Sequence, residues 1–523
     1  MSLNPHLSTR FGRTLCIGFG FMILVAGLAY GQHQTTTPIK HVVVIFQENV
    51  SFDHYFATYP NALNPSGEPR FVARRDTPSV NGLSGALLTN NLNLANPFRF
   101  SRAQAATCDQ DHDYKDEQTA FDHGAMDKFV QTVGNGPGTD GNLICKATDV
   151  MGYFDGNTVT ALWNYAQHFA MSDNSFGTTF GPSTPGVLNL VSGQTAGATP
   201  ANLPTLVVNG SVVGDSRPAL DDCSPGGGNQ ANQIVLSGKN VGDLLNAKGI
   251  TWGFFQGGFK PTAVVNGVAV CGATHTGSDG LPKGDYIPHH QGFQYYASTT
   301  NQHHLPPSSV GNIGKSDQAK HQYDISDFFD ALNAHNFPEV VFLKAPGFQD
   351  GHAGYSDPLA EQEFVVNTIN RLQEMREWSS TAVIISYDDS DGWYDHVMGP
   401  IVTPSNTIED TLTGTNACGT AVEGITQGKC GLGPRLPLLV ISPWAKRNFV
   451  DGTLTDQSSI MRFIEDNWST GRIGGDAADQ RAGTLLNMFD FRHGGDHDRR
   501  LFLDPKTGEV IGGDRDDDDR DDD

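Results

Sequence analysis

Side chains that can bind metals or move protons follow an apolar run near the start of the chain. The run "HVVVIF" (41–46) is followed by Glu48, Asn49, Asp53 and His54. An apolar run of this length predicts a buried β-strand, and in open α/β sheets ligands bind beyond the carboxyl ends of the strands. The pattern therefore predicts Glu48 and Asn49 as metal ligands, with Asp53 and His54 supporting the loop that carries them.

Two further predicted strands end in similar chemistry. "EVVFLK" (339–344) precedes a loop that carries His352, and "TAVIIS" (381–386) precedes "YDDSDGWYDH", with Asp388 and Asp389. One acidic residue after a strand is commonly a turn former or a helix cap. Several at one edge of a sheet would repel each other unless a cation neutralised them. Oxygen ligands favour Mg²⁺, Ca²⁺ or Mn²⁺, and the nearby histidines leave Zn²⁺ open.

A serine and four histidines could supply the remaining chemistry. Ser183 in "GPSTPG" precedes an apolar helical pattern, where a helix N-terminus suits a phosphate and a metal could activate the hydroxyl. That segment alone favours an N-cap serine. The histidines lie in loops rich in Gly and Pro, where they are candidates for binding phosphate oxygens and protonating a leaving group; they are His112, His289, His290 and His352.

The pattern of apolar runs predicts an α/β fold with a mostly parallel sheet covered on both faces. Two more strands are predicted at 250–255 and 435–442, and helices at 158–170, 240–249, 363–378 and 458–468, the last capped by Asp456. Residues 197–240 and 256–325 are predicted to be long loops or a small accessory layer. We expect one domain over residues 32–513, since no linker interrupts the pattern.

The two ends of the chain have a different composition. Residues 1–31 combine a basic start, an apolar stretch and small residues before Gly31, which predicts a cleaved signal peptide and a periplasmic or secreted protein. A membrane anchor is the alternative, but the stretch is shorter than the roughly 20 residues that span a bilayer. Residues 514–523, "DRDDDDRDDD", predict a disordered acidic tail.

Charge and cysteine content narrow the function further. The formal net charge of −24 argues against nucleic acid as a partner. After signal cleavage six cysteines remain, an even number that favours disulfides in an exported chain. The chain has no CxxC motif, the spacing that would suggest metal binding by cysteines. Pairing of neighbours is the simplest arrangement: Cys108–Cys145, Cys223–Cys271 and Cys418–Cys430.

Six segments resemble the bacterial phosphoesterase family that joins phospholipases C and a secreted acid phosphatase. They are "KHVVVIFQENVSFDHYF", "GPSTPG", "HHQGFQYYA", "GHAGYSDP", "YDDSDGWYDH" and "GPRLPLLVISPWAK", in the family's order from about residue 39 to 468. The resemblance implies an alkaline phosphatase-like α/β/α sandwich and a nucleophilic Ser183. It also implies a metal held by Glu48, Asn49, Ser183, Asp388 and Asp389, a phosphate pocket lined by His112, His289, His290 and His352, and leaving-group protonation by His112 or His352.

The resemblance also separates two substrate classes. Ser183, where phospholipase members typically have Thr, and Gln457, where they often have His, favour an acid phosphatase acting on small phosphate esters. A phospholipase C acting on the head groups of phosphatidylcholine-type lipids is the alternative, without stable membrane insertion of the mature chain. A sulfatase is disfavoured because "STPGV" lacks the required Arg. A secreted calcium-binding or adhesion protein is the non-enzymatic alternative.

Overall fold

Eight strands, most of them apolar runs of the sequence, form the central sheet of the computed structural model. The structure describes residues 33–136, 138–224, 230–413, 418, 428–492 and 498–513, so the predicted signal peptide and acidic tail lie outside the described residues. The strands are β1 His41–Gln47, β2 Ala170–Ser172, β3 Trp252–Gln256, β4 Gln322–Asp324, β5 Val340–Lys344, β6 Thr381–Tyr387, β7 Leu438–Ile441 and β8 Phe449–Asp451.

The spatial order of the sheet is β4-β3-β5-β1-β6-β7-β2-β8. Strand β1 lies at the centre and pairs in parallel with β5 and β6, with Val43 opposite Val341 and Val383. Only β7 runs antiparallel to its neighbours among these eight strands. Every residue of β1 and β6 is buried, so both faces of the sheet are covered, as expected for parallel strands.

Ten α-helices occur among the described residues. They are α1 Phe52–Phe56, α2 Ala86–Thr89, α3 Tyr114–Phe121, α4 Phe129–Thr132, α5 Thr160–His168, α6 Ser183–Ser192, α7 Val241–Lys248, α8 Ile325–Asn333, α9 Pro358–Gln373 and α10 Gln457–Trp468. As predicted, Asp456 caps α10, because its carboxylate accepts a hydrogen bond from the Ser458 amide at 2.7 Å. Helix α9 begins five residues earlier than predicted, because Asp357 caps its first turn.

The five predicted strands and the α/β class are confirmed. The regions predicted as long loops contain short ribbons, but residues 256–325 also supply β4 of the central sheet, which the prediction missed. Three of the short ribbons are hairpins: Gly138–Asp140 with Leu143–Cys145, Ala263–Val265 with Val268–Val270, and Thr274–Thr276 with Pro282–Gly284. The other short strands are Phe98–Arg99, Gly152–Tyr153, Ser175–Phe176, Ala198–Thr199, Val207–Val208, Ser211–Val212, Arg217–Pro218, Gln233–Leu236, Thr455–Asp456, Leu501–Leu503 and Val510–Gly513.

Three disulfides brace the loops. The structure joins the six cysteines in the neighbouring pairs that the sequence predicts, with Cα–Cα distances of 5.7, 5.6 and 5.7 Å. No helix among the described residues is both long and apolar enough to span a bilayer. From Gln34 onward the described residues form one structural unit, and the domain limits of 32–513 remain a prediction.

Candidate active site

The hydroxyl of Ser183 faces oxygen atoms from the ends of two central strands. Ser183 is the first residue of α6, and its Oγ lies 3.1 Å from Glu48 Oε2, 3.4 Å from Asn49 Oδ1 and 3.2 Å from Asp389 Oδ2. All four residues are buried. We call this group, together with Asp388, the Ser183 cluster; it contains every metal ligand that the resemblance implies.

Close backbone packing fixes the height of α6 above the strand ends. A Cβ atom on Gly186 would lie 2.2 Å from the carbonyl oxygen of Asp388, so only glycine allows the helix to approach this far. Gln457 at the start of α10 donates hydrogen bonds from its side-chain amide to the carbonyls of Asp388 and Tyr387. Gln457 therefore supports the backbone that carries the carboxylates.

Asn49 links the ligands through both its backbone and its side chain. Its left-handed backbone, with φ of 52°, lets the amide N–H donate to Asp388 Oδ1 at 3.1 Å. Its side-chain oxygen faces Glu48 Oε2 at 2.8 Å and Asp388 Oδ1 at 3.2 Å, which are also acceptors. Two orientations of this amide fit the space: with the nitrogen inward it would bond both carboxylates, and with the oxygen inward only a cation satisfies the three oxygens.

The charges of the Ser183 cluster fit a divalent cation. Burial, reinforced by the charge of Asp388, raises the pKa of Glu48 and of Asp389 well above the usual range. Burial opposes ionisation of Asp388 as well, but Lys344 and hydrogen bonds hold the pKa of Asp388 below its usual value. Asp388 Oδ2 accepts no hydrogen bond from the described residues. A cation among these oxygens would relieve the repulsion that raises the two pKa values.

Lys344 is a member of the site that the sequence reasoning missed. It is the last residue of β5, fully buried, and its Nζ contacts Glu48 Oε1 and lies 3.7 Å from Asp388 Oδ2. His290 Nδ1 lies 3.0 Å from the same Glu48 Oε1. These two groups hold the outer oxygen of Glu48, so the inner oxygen Oε2 stays directed at Ser183. A lysine that ends an otherwise apolar strand was the available signal.

The structure places His289 and His290 on one side of the Ser183 cluster. Both lie in the short helical turn Pro288–His290, and their rings are 4.4 Å apart at a steep angle. His289 Nε2 lies 3.7 Å from Asp215 Oδ2, and Asp215 in turn accepts hydrogen bonds from the amide and hydroxyl of Thr184 at the start of α6. Burial lowers the pKa of both histidines, which favours their neutral form.

His112 and His352 lie on the side of Asn49. The Asn49 side-chain nitrogen is 3.4 Å from His112 Nε2 and 3.0 Å from His352 Nε2. His112 Nδ1 is 2.8 Å from the Gln110 carbonyl and 3.4 Å from Asp391 Oδ1. Burial alone would lower the pKa of His112, but the negative charges of Asp389 and Asp391 raise it well above 6.5.

The ring of His352 belongs to a stack that reaches the surface. It lies parallel to Tyr355, with 4.3 Å between ring centroids, and Lys283 Nζ lies 3.4 Å from the centroid of the Tyr355 ring. Burial lowers the pKa of His352 to about 4. Asp350 anchors this loop, since it accepts hydrogen bonds from the His352 amide at 3.1 Å and from the Tyr355 hydroxyl at 3.3 Å. Neither Asp350 nor Lys283 was selected from the sequence.

Asp53 and His54 lie behind the Ser183 cluster. Asp53 belongs to a second buried group, the Arg435 cluster, which consists of Asp53, Asp395, His396 and Arg435. Arg435 NH2 lies 3.1 Å from Asp53 Oδ1 and 3.1 Å from Asp395 Oδ2, and His396 Nδ1 lies 2.6 Å from Asp53 Oδ2. His54 stacks on Trp393 at 4.0 Å, and burial lowers its pKa to about 3. These contacts join the loop after β1 to the loop after β6.

The fold and the site together define an α/β protein whose buried serine and carboxylates meet at the carboxyl ends of the central parallel strands. The model of the Phosphoesterase family matches residues 39–471, and the chain belongs to this family.

Several characterised proteins are similar to this chain. The non-hemolytic phospholipase C of Pseudomonas aeruginosa is 26% identical over 454 residues, which cover 84% of this chain and 55% of that protein. Phospholipase C A of Mycobacterium tuberculosis is 24% identical over 82% of this chain and 72% of its own length. Non-specific phospholipase C6 of Arabidopsis thaliana is 22% identical over 86% and 70%. The chain thus spans about half the length of the Pseudomonas relative.

Among solved structures, a protein in the alkaline phosphatase superfamily from Vibrio parahaemolyticus matches with a TM-score of 0.27 and 12% identity. The match covers 66% of this chain and 67% of that protein.

Proposed function

We propose that the protein is a metal-dependent phosphoesterase that hydrolyses phosphate esters through a phosphoserine at Ser183. The observation that carries the proposal is the convergence of Glu48 Oε2, Asn49 Oδ1 and Asp389 Oδ2 within 3.1–3.4 Å of Ser183 Oγ. A structural N-cap serine would accept a hydrogen bond from a backbone N–H of α6; here Pro182 holds the N-cap position, and Ser183 Oγ lies within hydrogen-bond distance of side-chain oxygens instead. Family membership supports the same reaction class.

Glu48, Asn49, Ser183, Asp388 and Asp389 would hold the cation. When bound, a divalent cation lowers the pKa of a ligating hydroxyl and neutralises charge that develops on a phosphoryl group. The oxygen-rich donor set favours a hard ion such as Mg²⁺, Ca²⁺ or Mn²⁺, with Zn²⁺ open because four histidines lie nearby. Lys344 and His290 orient Glu48 by holding its outer oxygen.

In the first step Ser183 gives its hydroxyl proton to the Asp389 carboxylate, 3.2 Å from Oγ, and Oγ forms a bond to phosphorus while the bond from phosphorus to the leaving oxygen breaks. His289, which lies beside Asp215 near the start of α6, and His352, beside Asn49, suit the phosphoryl oxygens as hydrogen-bond donors. His112 faces Asp391, whose charge stabilises the protonated imidazole, so we assign His112 to protonate the leaving alcohol. Water then attacks phosphorus and gives a proton to His112 while the bond from phosphorus to Ser183 Oγ breaks, and Oγ takes its proton back from Asp389, so that inorganic phosphate leaves and the enzyme is regenerated.

We propose soluble phosphomonoesters as the preferred substrates. Ser183 resembles the acid phosphatase branch, and Lys283 covers a face of Tyr355 that could otherwise receive a quaternary ammonium group by cation–π contact. The names of the relatives favour phospholipase C as the second candidate. Comparing kcat/KM for p-nitrophenyl phosphate with diacylglycerol release from phosphatidylcholine micelles, between pH 5 and 8, separates the two; choline phosphate as the preferred product would favour the second.

Replacing the nucleophile tests the mechanism. Ser183→Ala should lower kcat for p-nitrophenyl phosphate by at least about a thousandfold while metal content and unfolding temperature stay near wild type. Ser192→Ala is the matched control, because Ser192 is a buried serine at the other end of α6. A Ser183→Ala enzyme that turns over at the rate of the control would contradict the phosphoserine mechanism.

A further inference from the structure

Three hairpins stand around the side of the site that carries His112 and His352. The hairpin Gly138–Cys145 is tied to the loop before His112 by the Cys108–Cys145 disulfide, and Asp140 Oδ2 accepts a hydrogen bond from the Asp109 amide at 3.2 Å. The hairpin Thr274–Gly284 carries Lys283, and its Ser278 amide donates to the Tyr355 carbonyl at 3.0 Å. The two hairpins are therefore fastened to the segments that hold the two histidines.

The first two hairpins also touch each other, and the third directly precedes the second in the chain, so we call the three together a border. A Cβ atom on Gly141 would lie 2.4 Å from the Asp279 carboxylate, and one on Gly280 would lie 2.9 Å from the Asn142 side chain. The third hairpin, Ala263–Val270, is followed at once by the Cys223–Cys271 disulfide. The base of the second is closed by a 2.9 Å hydrogen bond from the Asp285 amide to the Ala273 carbonyl.

The tips of this border are apolar and exposed. Val265 and Val268 flank an Asn-Gly turn in which both central residues have positive φ, the geometry of a tight two-residue hairpin loop. Side chains that a soluble domain would normally bury instead face solvent here, and we call them the apolar rim: Ile144, Val264, Val265, Val268, Val270 and Leu281. Four of these residues lie on one hairpin, and a group of exposed apolar residues of this kind marks an interaction site.

The lack of charge around the four valines of the apolar rim indicates what they contact. Residues 262–277 contain no Asp, Glu, Lys or Arg, although the chain has a formal net charge of −24. An uncharged apolar edge on a strongly acidic protein fits a zwitterionic surface better than an anionic one, which the rest of the protein would repel. Two of the three hairpins are fastened to the segments that hold His112 and His352.

We propose that the apolar rim docks this protein on a zwitterionic phospholipid surface, with the valines of the 263–270 hairpin entering the boundary between head groups and acyl chains. The disulfides at the bases of two hairpins hold the rim rigid, so docking needs no refolding of the tips. The proposal rests on the proposed function only in placing this surface beside the histidines of a phosphoesterase site. Docking would hold that site next to the membrane, whether the preferred ester is soluble or a lipid.

The test is cosedimentation of the full chain with sucrose-loaded phosphatidylcholine vesicles. The wild type should sediment with the vesicles, and the double variant Val264→Asp/Val268→Asp should lower the partition coefficient at least about tenfold, since each charge opposes entry into the lipid. Val72→Asp is the matched control. Val72 is 65% exposed against 66% for Val264, but its carbonyl accepts a hydrogen bond from Gln167, which lies just before β2, at the end of the sheet opposite the site. The control should bind as the wild type does.

Hydrolysis of p-nitrophenyl phosphate reports folding of the variants, and it should be equal in all three proteins. Absence of wild-type binding, or equal loss of binding in Val72→Asp, would overturn the proposal. So would sedimentation velocity showing a wild-type dimer that the double variant dissociates, without any vesicle binding, because the rim would then join two copies of the chain. A wild type that binds vesicles but hydrolyses no phosphate ester would refute the proposed function and leave the docking surface standing.

Discussion

Two groups of buried carboxylates lie at the carboxyl ends of β1 and β6, and the chain neutralises them to different degrees. In the Arg435 cluster, one guanidinium contacts both Asp53 and Asp395, and His396 contacts Asp53 as well. In the Ser183 cluster, Lys344 is the cationic side chain at Glu48 and Asp388, and Asp389 faces the hydroxyl of Ser183.

The difference shows in the acidity of the groups. Burial raises the pKa of Asp395 to about 6, with Arg435 opposing the rise, whereas the pKa of Glu48 and of Asp389 is raised well above the usual range. A buried cluster whose countercharge comes from the chain holds a fold together. A cluster with surplus negative charge is destabilising until something binds to it, which is the expected property of a metal site.

Removing a ligand should have the largest effect. Asp388→Ala should lower metal affinity by more than about a hundredfold and abolish phosphate ester hydrolysis, since loss of a direct ligand exceeds the 10–100-fold cost of losing an outer partner. Elemental analysis and metal titration provide the measurement, with Asp395→Ala as the matched control from the Arg435 cluster. Full metal content in Asp388→Ala would contradict the assignment of the site.

Removing the chain's own countercharge should act on stability instead. Arg435→Met leaves Asp53 and Asp395 buried without their cation, and we expect the free energy of unfolding to fall by about 3–5 kcal/mol in urea titrations. Adding Asp395→Asn to this variant should restore part of the loss. An Arg435→Met protein of wild-type stability would show that the two clusters do not differ in the way described.

Removing a charge from the Ser183 cluster should raise the free energy of unfolding instead of lowering it. Asp389→Asn relieves repulsion with Asp388, so without added metal the variant should be more stable than wild type, by up to about 2 kcal/mol, and inactive. Thermal unfolding in a chelating buffer, with and without excess metal, measures the change. The wild type keeps all of its proposed metal ligands, and Asp389→Asn does not. With added metal the wild type should therefore become more stable than Asp389→Asn.

A third buried carboxylate tests the comparison at a smaller scale. Glu465 lies 3.0 Å from Arg472, but burial and the neighbouring Asp479 raise its pKa to about 8 from 4.5. The folded state therefore binds the Glu465 proton more tightly than the unfolded state does. The stabilisation that this proton gives is full below about pH 4.5 and is lost as the pH rises through about 8. Glu465→Gln should flatten this decline by on the order of 1 kcal/mol.

Urea titrations between pH 5 and 8 measure that slope. Glu363→Gln, at an exposed position of α9, is the control for loss of one negative charge. Equal slopes in wild type and Glu465→Gln would show that Arg472 neutralises Glu465 fully.

The long elements could be predicted from the sequence because their patterns are long. The runs that became β1 and β6 contain six or seven buried residues in succession, but β2, β4 and β8 have only three residues each and follow from pairing with neighbours. The carboxylates of the site could be predicted because they directly follow strands. The segment around Ser183 offered it as a candidate nucleophile, but an N-cap serine has the same local sequence, so only the family resemblance decided between the two.

Other parts of the site depend on contacts distant in the chain. Lys344 contacts Glu48 because β5 and β1 are neighbouring strands of the sheet. The order of strands in a sheet cannot be read from their order in the sequence. Lys283 reaches Tyr355 from a hairpin inside a region predicted to be long loops. The "AVVNGVAV" segment carried a usable signal, because two apolar runs around Asn-Gly predict a tight β-hairpin.

The Cys108–Cys145 disulfide makes the placement of His112, the proposed general acid, depend on the redox conditions in which the chain folds. The side-chain amide of Gln110 donates a hydrogen bond to the Cys108 carbonyl, and the carbonyl of Gln110 contacts His112 Nδ1. The position of the His112 ring therefore depends on a residue two places after the disulfide-bonded Cys108. A chain produced in a reducing cytoplasm would keep Ser183, which begins α6, and the carboxylates, which directly follow strands, yet lose the cross-link that anchors this loop. Specific activity would then report the oxidation state of the preparation as much as the quality of its folding.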